Sequence, residues 1–359
     1  MDRRKFLQSL TAVGISAALP ATAFSRDIYP AVVPSASFES NNVDSKFQTL
    51  HADTEFPRIG IIAVGGAGGI ILSSLAGRLP YLDRSIAVDT NLNALNQVSA
   101  DHKILVGESK RIVFEPNAAR LLAMGVKEKI ISAATGLDLV FILAGMGGVT
   151  GTGISPMVAE TLSEMGILTI GAAVTPFDFE GHKRIQNAHS GLDALSRRVT
   201  TLFPISNQTI AVASGENAAV TSILNQSDQL FESLYLNISN TVSEIGLIGI
   251  DFEDVKTVLS CGGYSAFGFG AASGPKSQKL ATLNAISSPL LGQNRLSSAA
   301  GVLVAIEGNR QSLKMSQINT VFNAIKQHVS SKNIMYSARY NDLAEDFRVS
   351  ILATGLQAG

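Results

Sequence analysis

The chain has 359 residues, 46% of them hydrophobic and 16% charged, with a formal net charge of -1. That length accommodates two domains with substantial cores, and the composition excludes a disordered protein. Interspersed charges with no basic cluster beyond the N-terminus argue against a nucleic-acid surface or a polybasic membrane patch. The single cysteine, Cys261, excludes an intramolecular disulfide and a cysteine metal cluster, and reads as a small buried hydrophobe. The five histidines have no paired spacing, His182 and His189 read as solvated helix positions, and the sequence holds no metal-ligand constellation.

Asp2-Arg3-Arg4-Lys5-Phe6-Leu7-Gln8 is a twin-arginine pattern, and the apolar stretch Leu10 to Ala23 ends in Ala21-Thr22-Ala23, a small-x-small cleavage site. Residues 1–23 therefore read as a Tat-type export signal, whose apolar stretch is too short for a permanent span of roughly 20 residues. A membrane tether and a fortuitous basic-apolar start are the alternatives. A functional signal places the protein in the periplasm; a tether or an unprocessed N-terminus leaves it in the cytoplasm. Residues 24–56 contain Ser, Asn and Pro without periodicity and read as a flexible linker, so the fold starts at Pro57.

Arg58 to Val64 is a buried-type strand run that feeds Gly65-Gly66-Ala67-Gly68-Gly69 and then an apolar helix. A dinucleotide fingerprint would need a third glycine where Ile71 stands. Further strand runs are Ser85–Val88, Lys103–Val106, Leu139–Leu143, Leu168–Val174 and Thr201–Ile205, with helical patterns between them. Continuous apolar strands alternating with helices predict a largely parallel sheet covered on both faces. The glycine turns, Asp89-Thr90-Asn91 and Thr175-Pro176-Phe177 all fall at the carboxyl ends of such strands, where ligands bind.

The strand Leu139–Leu143 empties into Ala144-Gly145-Met146-Gly147-Gly148-Val149-Thr150-Gly151-Thr152-Gly153. Bare amides converging at the start of a following helix make a concave anion site suited to phosphates, to which the threonine hydroxyls can add hydrogen bonds. Glu180 and Arg184 lie four apart, hence on one helix face, and by themselves read as an exposed ion pair. From Asp228 to Leu247, Phe231, Leu234, Ile238, Val242 and Ile245 recur every three or four residues and predict one long helix over 228–248. Asp251 and Asp254 precede a helical run, an ordinary capping arrangement.

Residues 147–153 resemble the Gly-Gly-Gly-Thr-Gly-Thr-Gly phosphate loop of the tubulin/FtsZ family, with Val149 at the third glycine. The resemblance runs from about Pro57 to Gly355 and is closer to bacterial FtsZ than to tubulin. It implies an α/β fold of tubulin/FtsZ type: a Rossmann-type, parallel-sheet GTP-binding domain (57–227), a long central helix (228–248) and a smaller α/β C-terminal activation domain (249–359) with its own sheet. It implies GTP/GDP as ligand, with Mg²⁺ bound through the nucleotide. Gly66, Ala67, Gly68 and Gly69 would join Gly147, Gly148, Val149, Thr150, Gly151, Thr152 and Gly153 around the phosphates. Pro176 to Arg184 looks like the segment carrying ribose and guanine contacts, which assigns Glu180 to ribose hydroxyls and Arg184 to the nucleotide. Asn207 matches a base-contacting asparagine. Asp228 corresponds to the guanine-reading aspartate, or else is a helix N-terminal carboxylate favoured by the macrodipole.

Gly249 to Val255 looks like the loop that, in FtsZ, enters the nucleotide site of the next subunit, so Asp251 and Asp254 would polarise the attacking water there. The implied partner is self, in a head-to-tail homopolymer, with no nucleic acid. The sequence departs from the family at Ile70-Ile71 (Asn-Ala in FtsZ), Gly249 (asparagine), Ile223 (a stacking aromatic) and Glu108 to Asn117, which lacks the Gly-Ala-Gly loop that senses the γ-phosphate. No C-terminal adaptor-binding peptide is expected, leaving membrane contact to the N-terminus. The functional expectation is guanine-nucleotide binding with slow hydrolysis and a cell-division or cytoskeletal role. The alternatives are a catalytically degenerate exported scaffold and a Rossmann oxidoreductase with Asp89 reading ribose.

Overall fold

The computed structural model describes residues 56–357 apart from 108–114, 216, 245, 292–294, 311–312 and 341–345. The twin-arginine pattern, its cleavage site, the linker through residue 55 and most of the stretch Glu108 to Asn117 lie outside the described residues.

The first half alternates strands and helices: β1 (Ile59–Val64), α1 (Gly65–Ser74), β2 (Leu82–Asp89), α2 (Leu92–Asn96), β3 (His102–Leu105), α3 (Pro116–Ala123) and α4 (Lys127–Ala134). It continues with β4 (Leu139–Gly145), α5 (Val149–Glu164), β5 (Leu168–Thr175), α6 (His182–Ser196), β6 (Thr201–Ser206) and α7 (Asn207–Ser214). The long α8 (Val220–Ser243) leads to α9 (Phe252–Leu259), β7 (Tyr264–Ala272), α10 (Ser277–Ile286), α11 (Arg295–Ser298), β8 (Gly301–Gly308), α12 (Met315–Lys326), β9 (Asn333–Tyr340) and β10 (Phe347–Leu356).

Neighbouring pairs among β1 to β6 are all parallel. Every residue of β1 is buried, the pattern expected of strands covered on both faces. One apolar core packs α3, α4, α5 and α6 against this half, and a second packs α10, α11 and α12 against β7 to β10. The expected second sheet is not separate. Ten strands form one sheet in the order β3-β2-β1-β4-β5-β6-β7-β10-β8-β9. Its halves meet at a single pair, Leu202 with Tyr264. The Leu202 N–H donates to Gly263 O at 3.1 Å. Two residues on, on the same side of β6, Pro204 has no N–H to continue the ladder. Beyond that junction β10 pairs antiparallel with β7 and β8.

The central helix also differs from its predicted span. It begins at Val220, where Ala219 is still extended, and ends at Ser243, because Glu244 returns to extended backbone. Ile223, Leu224 and Leu230 continue the buried stripe in front of Phe231. Asp228 therefore sits past the second turn of α8, too deep for the macrodipole of a helix start to act on it. The helix is clamped to β4 by Phe141, whose ring lies 6.2 Å edge-on from Phe231 and 5.1 Å from Tyr235. Cys261 is half-buried rather than a core residue.

Candidate functional site

The carboxyl edge of β1, β2, β4, β5 and β6 gathers most of the sequence-predicted residues. β1 runs straight into α1 through Gly65, at φ +75, and the chain leaves β4 through Gly147, at φ +94, both left-handed conformations that favour glycine. A Cβ at Gly151 would lie 2.3 Å from Gly145 O, and one at Gly65 would lie 3.0 Å from the Gly151 nitrogen. The first turns of α1 and α5 therefore touch, and only missing side chains permit it.

Both helix starts are bare. α1 and α5 have no side-chain cap and no acidic residue in the first turn. The leading N–H groups of any helix lack intrahelical acceptors, so two sets of orphan donors and two positive dipole ends face one place. Side chains cap three other starts, Asn91 on α2, Ser206 on α7 and Asp251 on α9, whereas α3, α4, α6, α8 and α10 are uncapped as well; what sets α1 and α5 apart is that their first turns meet.

Around this centre the hydroxyls divide. Thr152 is buried, and its Oγ1 accepts from the Gly147 N–H at 2.9 Å, so it braces the loop from inside. Thr150 faces the other way and shares a 2.8 Å hydrogen bond with Thr90 at the end of β2. Asp89 lies behind Thr90 and is 5% exposed. Burial pushes its carboxyl above the ordinary range, against the hydrogen bonds from Asn91 and Thr90 that favour the charged form. Asp89 is thus spent on its own turn, and Ile71, at the third-glycine position, is fully buried; neither serves a dinucleotide site.

Glu180 and Arg184 form their ion pair at 2.6 Å, but not on one continuous helix. Glu180 ends a 3₁₀ turn, and Gly181, at φ +101, separates it from α6. The other Glu180 oxygen accepts from the Phe177 N–H at 2.9 Å. The pair flanks the phosphate loop, because a Cβ at Gly147 would lie 2.8 Å from Arg184 O.

At the far corner Asn207 and Asp228 come together through Ser227, whose hydroxyl donates to Asn207 Oδ1 at 2.6 Å. Asp228 Oδ2 accepts from the Ser74 hydroxyl at 3.1 Å, which ties this corner to the helix that Gly65 opens. Ser74, Thr90 and Ser227 are invisible as partners in the sequence, since single hydroxyls 20 to 154 residues from their contacts carry no spacing signal.

Asp251 and Asp254 stand apart. Asp254 N–H donates to Asp251 Oδ1 at 2.7 Å in a reciprocal capping box. Three residues before Asp251, Ile248 pairs with Ala338 of β9, the edge strand separated from β4 by five others. Within one subunit they do not join the glycine turns. A cleft of about 280 Å³ opens between α3, α5 and α6, lined by residues including Glu115, Arg120 and Lys183. Of the predicted site it includes only Thr152 and Gly153, so it flanks the phosphate loop rather than containing the site. No group of three or more metal-ligating side chains occurs among the described residues.

Comparison with known proteins places the arrangement. The profile of the Tubulin/FtsZ family, GTPase domain, matches residues 58–214, and that of the FtsZ family, C-terminal domain, matches residues 263–357. The chain belongs to the FtsZ family. It is 34% identical to the cell division protein FtsZ of Pseudomonas aeruginosa over 306 residues, covering 84% of this chain and 77% of that one. It is 34% identical to FtsZ of Azotobacter vinelandii over 304 residues, covering 83% and 77%. The FtsZ dimer of M. jannaschii, solved empty, superposes with a TM-score of 0.77 at 28% identity, covering 87% of this chain and 93% of that one. CetZ2 from Haloferax volcanii, at 17% identity, shares the fold with a TM-score of 0.73, covering 83% and 93%. The FtsZ fold accounts for motifs that an oxidoreductase reading left unexplained. No helix among the described residues is long and apolar enough to cross a membrane.

Proposed function

We propose that this FtsZ-family protein binds GTP at the carboxyl edge of its sheet, assembles head to tail, and hydrolyses GTP slowly through the neighbouring subunit. The observation that carries the reading is the pair of uncapped helix starts, α1 and α5, brought within van der Waals reach by Gly65 and Gly151. Orphan amides of residues 65–67 and 148–151 hold the phosphate chain. Glu180 and Arg184 take the ribose and the phosphate side, and Asn207 and Asp228 take the guanine edge, the first held by Ser227 and the second by Ser74. Mg²⁺ fits as an ion carried on the phosphates, for which the Thr90 and Thr150 hydroxyls offer hard oxygen donors beside the loop. Residues 57–227 act as the nucleotide domain and 249–359 as the activation domain.

Asp251 and Asp254 serve the next subunit's nucleotide, which agrees with their distance from their own. Exposed apolar groups mark both ends of such a contact: Phe179 (60% exposed) and Val212 (73%) follow β5 and β6, and Leu247 (51%) lies beside Asp251. A heterologous contact of this kind generates open filaments. Catalysis is then positioning and charge stabilisation, with one carboxylate orienting water. The N-terminal segment sets the compartment: export follows if residues 3–4 act as a twin-arginine signal, and replacing both with lysine then abolishes processing.

The test is to denature the purified protein, identify the released nucleotide by chromatography, and measure GTP turnover against protein concentration. Guanine nucleotide near one per chain and turnover rising faster than linearly support the reading. No nucleotide, and no binding of added GTP, leaves the degenerate scaffold.

A further inference from the structure

The exit of α8 is held by a charge cluster that neither the phosphate loop nor the capping box uses. Arg339 of β9 donates through Nε (3.0 Å) and Nη2 (2.5 Å) to Glu307 Oε1 of β8, and through Nη1 to Glu244 Oε2, the residue at which α8 ends. Glu244 Oε1 accepts from the Tyr81 hydroxyl at 3.0 Å. One guanidinium thus serves two carboxylates, with side chains only 19% (Arg339) and 11% (Glu307) exposed. Surface ion pairs of ordinary exposure do little, and buried ones seldom surpass an apolar replacement, so stability alone does not account for it.

What the cluster touches is informative. Beside Arg339, Ala338 exchanges two backbone hydrogen bonds with Ile248, both at 3.1 Å, a lone bridge on an edge strand. A bridge of two bonds is marginal alone. Asp251 follows three residues later. Tyr81 sits at φ +59, a left-handed conformation an aromatic residue rarely adopts, and it follows a segment pinned along α8 by Arg78 to Glu232 and by Pro80 O to the Tyr235 hydroxyl. The phenol stays a donor: burial, then Glu244, pushes it up to about 12.

We infer that Glu244, Arg339, Glu307 and Tyr81 form a latch that fixes where the loop of residues 246–250 leaves the fold, making Arg339 a positioning residue for Asp251. This rests on the reading of Asp251 given above. The latch converts a marginal strand bridge into a rigid mount, so that the carboxylate reaches the neighbouring subunit at one height and angle.

Two variants of the full chain test it, Glu244→Ala and Arg339→Lys; the second keeps the charge but loses the planar fork that spans two carboxylates. Glu244 is a third exposed, so Glu244→Ala keeps the fold even where Arg339→Lys does not. Amide hydrogen exchange at Ile248 and Ala338 is read together with nucleotide content, KM and kcat for GTP, and Asp251→Asn as reference. Exchange at these two amides should rise about tenfold with the rest of the sheet unchanged. kcat should fall about tenfold at unchanged nucleotide content and KM, since small misplacements of a reacting group are costly. Unchanged exchange overturns the latch. Faster exchange with parental kcat, while Asp251→Asn is impaired, overturns the positioning role. If Asp251→Asn turns over like the parent, the assignment of Asp251 falls and the positioning role with it, while exchange still decides whether the latch holds the loop.

Discussion

Replacing Gly151 with alanine separates the phosphate-loop reading from a merely flexible loop. The new Cβ would stand 2.3 Å from Gly145 O and 3.2 Å from the Gly145 carbonyl carbon, where ordinary contact begins at 3.4 Å. The obstacle is backbone at the end of a buried strand, so the first turn of α5 has to retreat by about 1 Å. Residues Gly151 to Ala159 of that helix are all buried, which leaves no room for a rigid shift. Overpacking of this kind costs about 1–3 kcal/mol, a loss of about 2–5 °C in Tm for a chain of this size. The site loses more. Displaced amides forfeit charge-assisted hydrogen bonds of about 1.5–3 kcal/mol each, so two lost bonds weaken nucleotide binding at least ~100-fold. Gly66→Ala is the control, because a Cβ there meets nothing within 4 Å. It should leave Tm at or above the parent value and still weaken binding, by crowding the ligand alone. Titration with a fluorescent GTP analogue and thermal melts read both variants. Parental affinity in Gly151→Ala would refute the argument.

Asp251→Asn keeps the helix cap and removes the charge, so turnover should fall at least tenfold while released nucleotide stays near the parental ratio; parallel loss of both would remove the catalytic assignment. Asp89→Asn tests a pH effect whose sign follows from burial. The raised carboxyl keeps its proton in the folded state to a higher pH than in the unfolded chain, so the parent loses stability as pH rises through that window. The variant should therefore be the more stable at pH 7, with the advantage gone below the ordinary carboxylate value of about 3.9, and a parent that is more stable at pH 7 contradicts this. Phe231→Ala removes a fully buried ring from the clamp on Phe141 and should cost about 3–5 kcal/mol in denaturant unfolding. A cost under 1 kcal/mol would show that the central helix is held elsewhere.

Local chemistry was legible where one segment holds both signal and consequence. The apolar runs of β1, β4 and β5 declare strands buried on both faces, and the glycines of 65–69 and 147–153 declare backbone approach, because those properties need no distant partner. Pairings were not legible. The direction of the Thr152 hydroxyl depends on the Gly147 N–H inside a finished turn. Asp228 read as a helix start because the apolar period is clearest from Phe231 onward, yet Ile223 and Leu224 extend the same buried face backwards. A gradual change of period marks a helix end poorly; the end is set by Ala219 and Glu244 turning extended, and Glu244 turns where the exit meets β9.

The sequence by itself determined the family, the alternation of strands and helices in the first half of the fold, and the two glycine turns, since each is written in contiguous residues with a fixed backbone requirement. Only the tertiary structure decided that both halves share one sheet, that Thr90 meets Thr150, that Asn207 meets Ser227 and Asp228 meets Ser74, and that Asp251 stands away from its own loop. Those outcomes depend on contacts between residues far apart in the chain, and such contacts exist only after strand order and packing have brought them together.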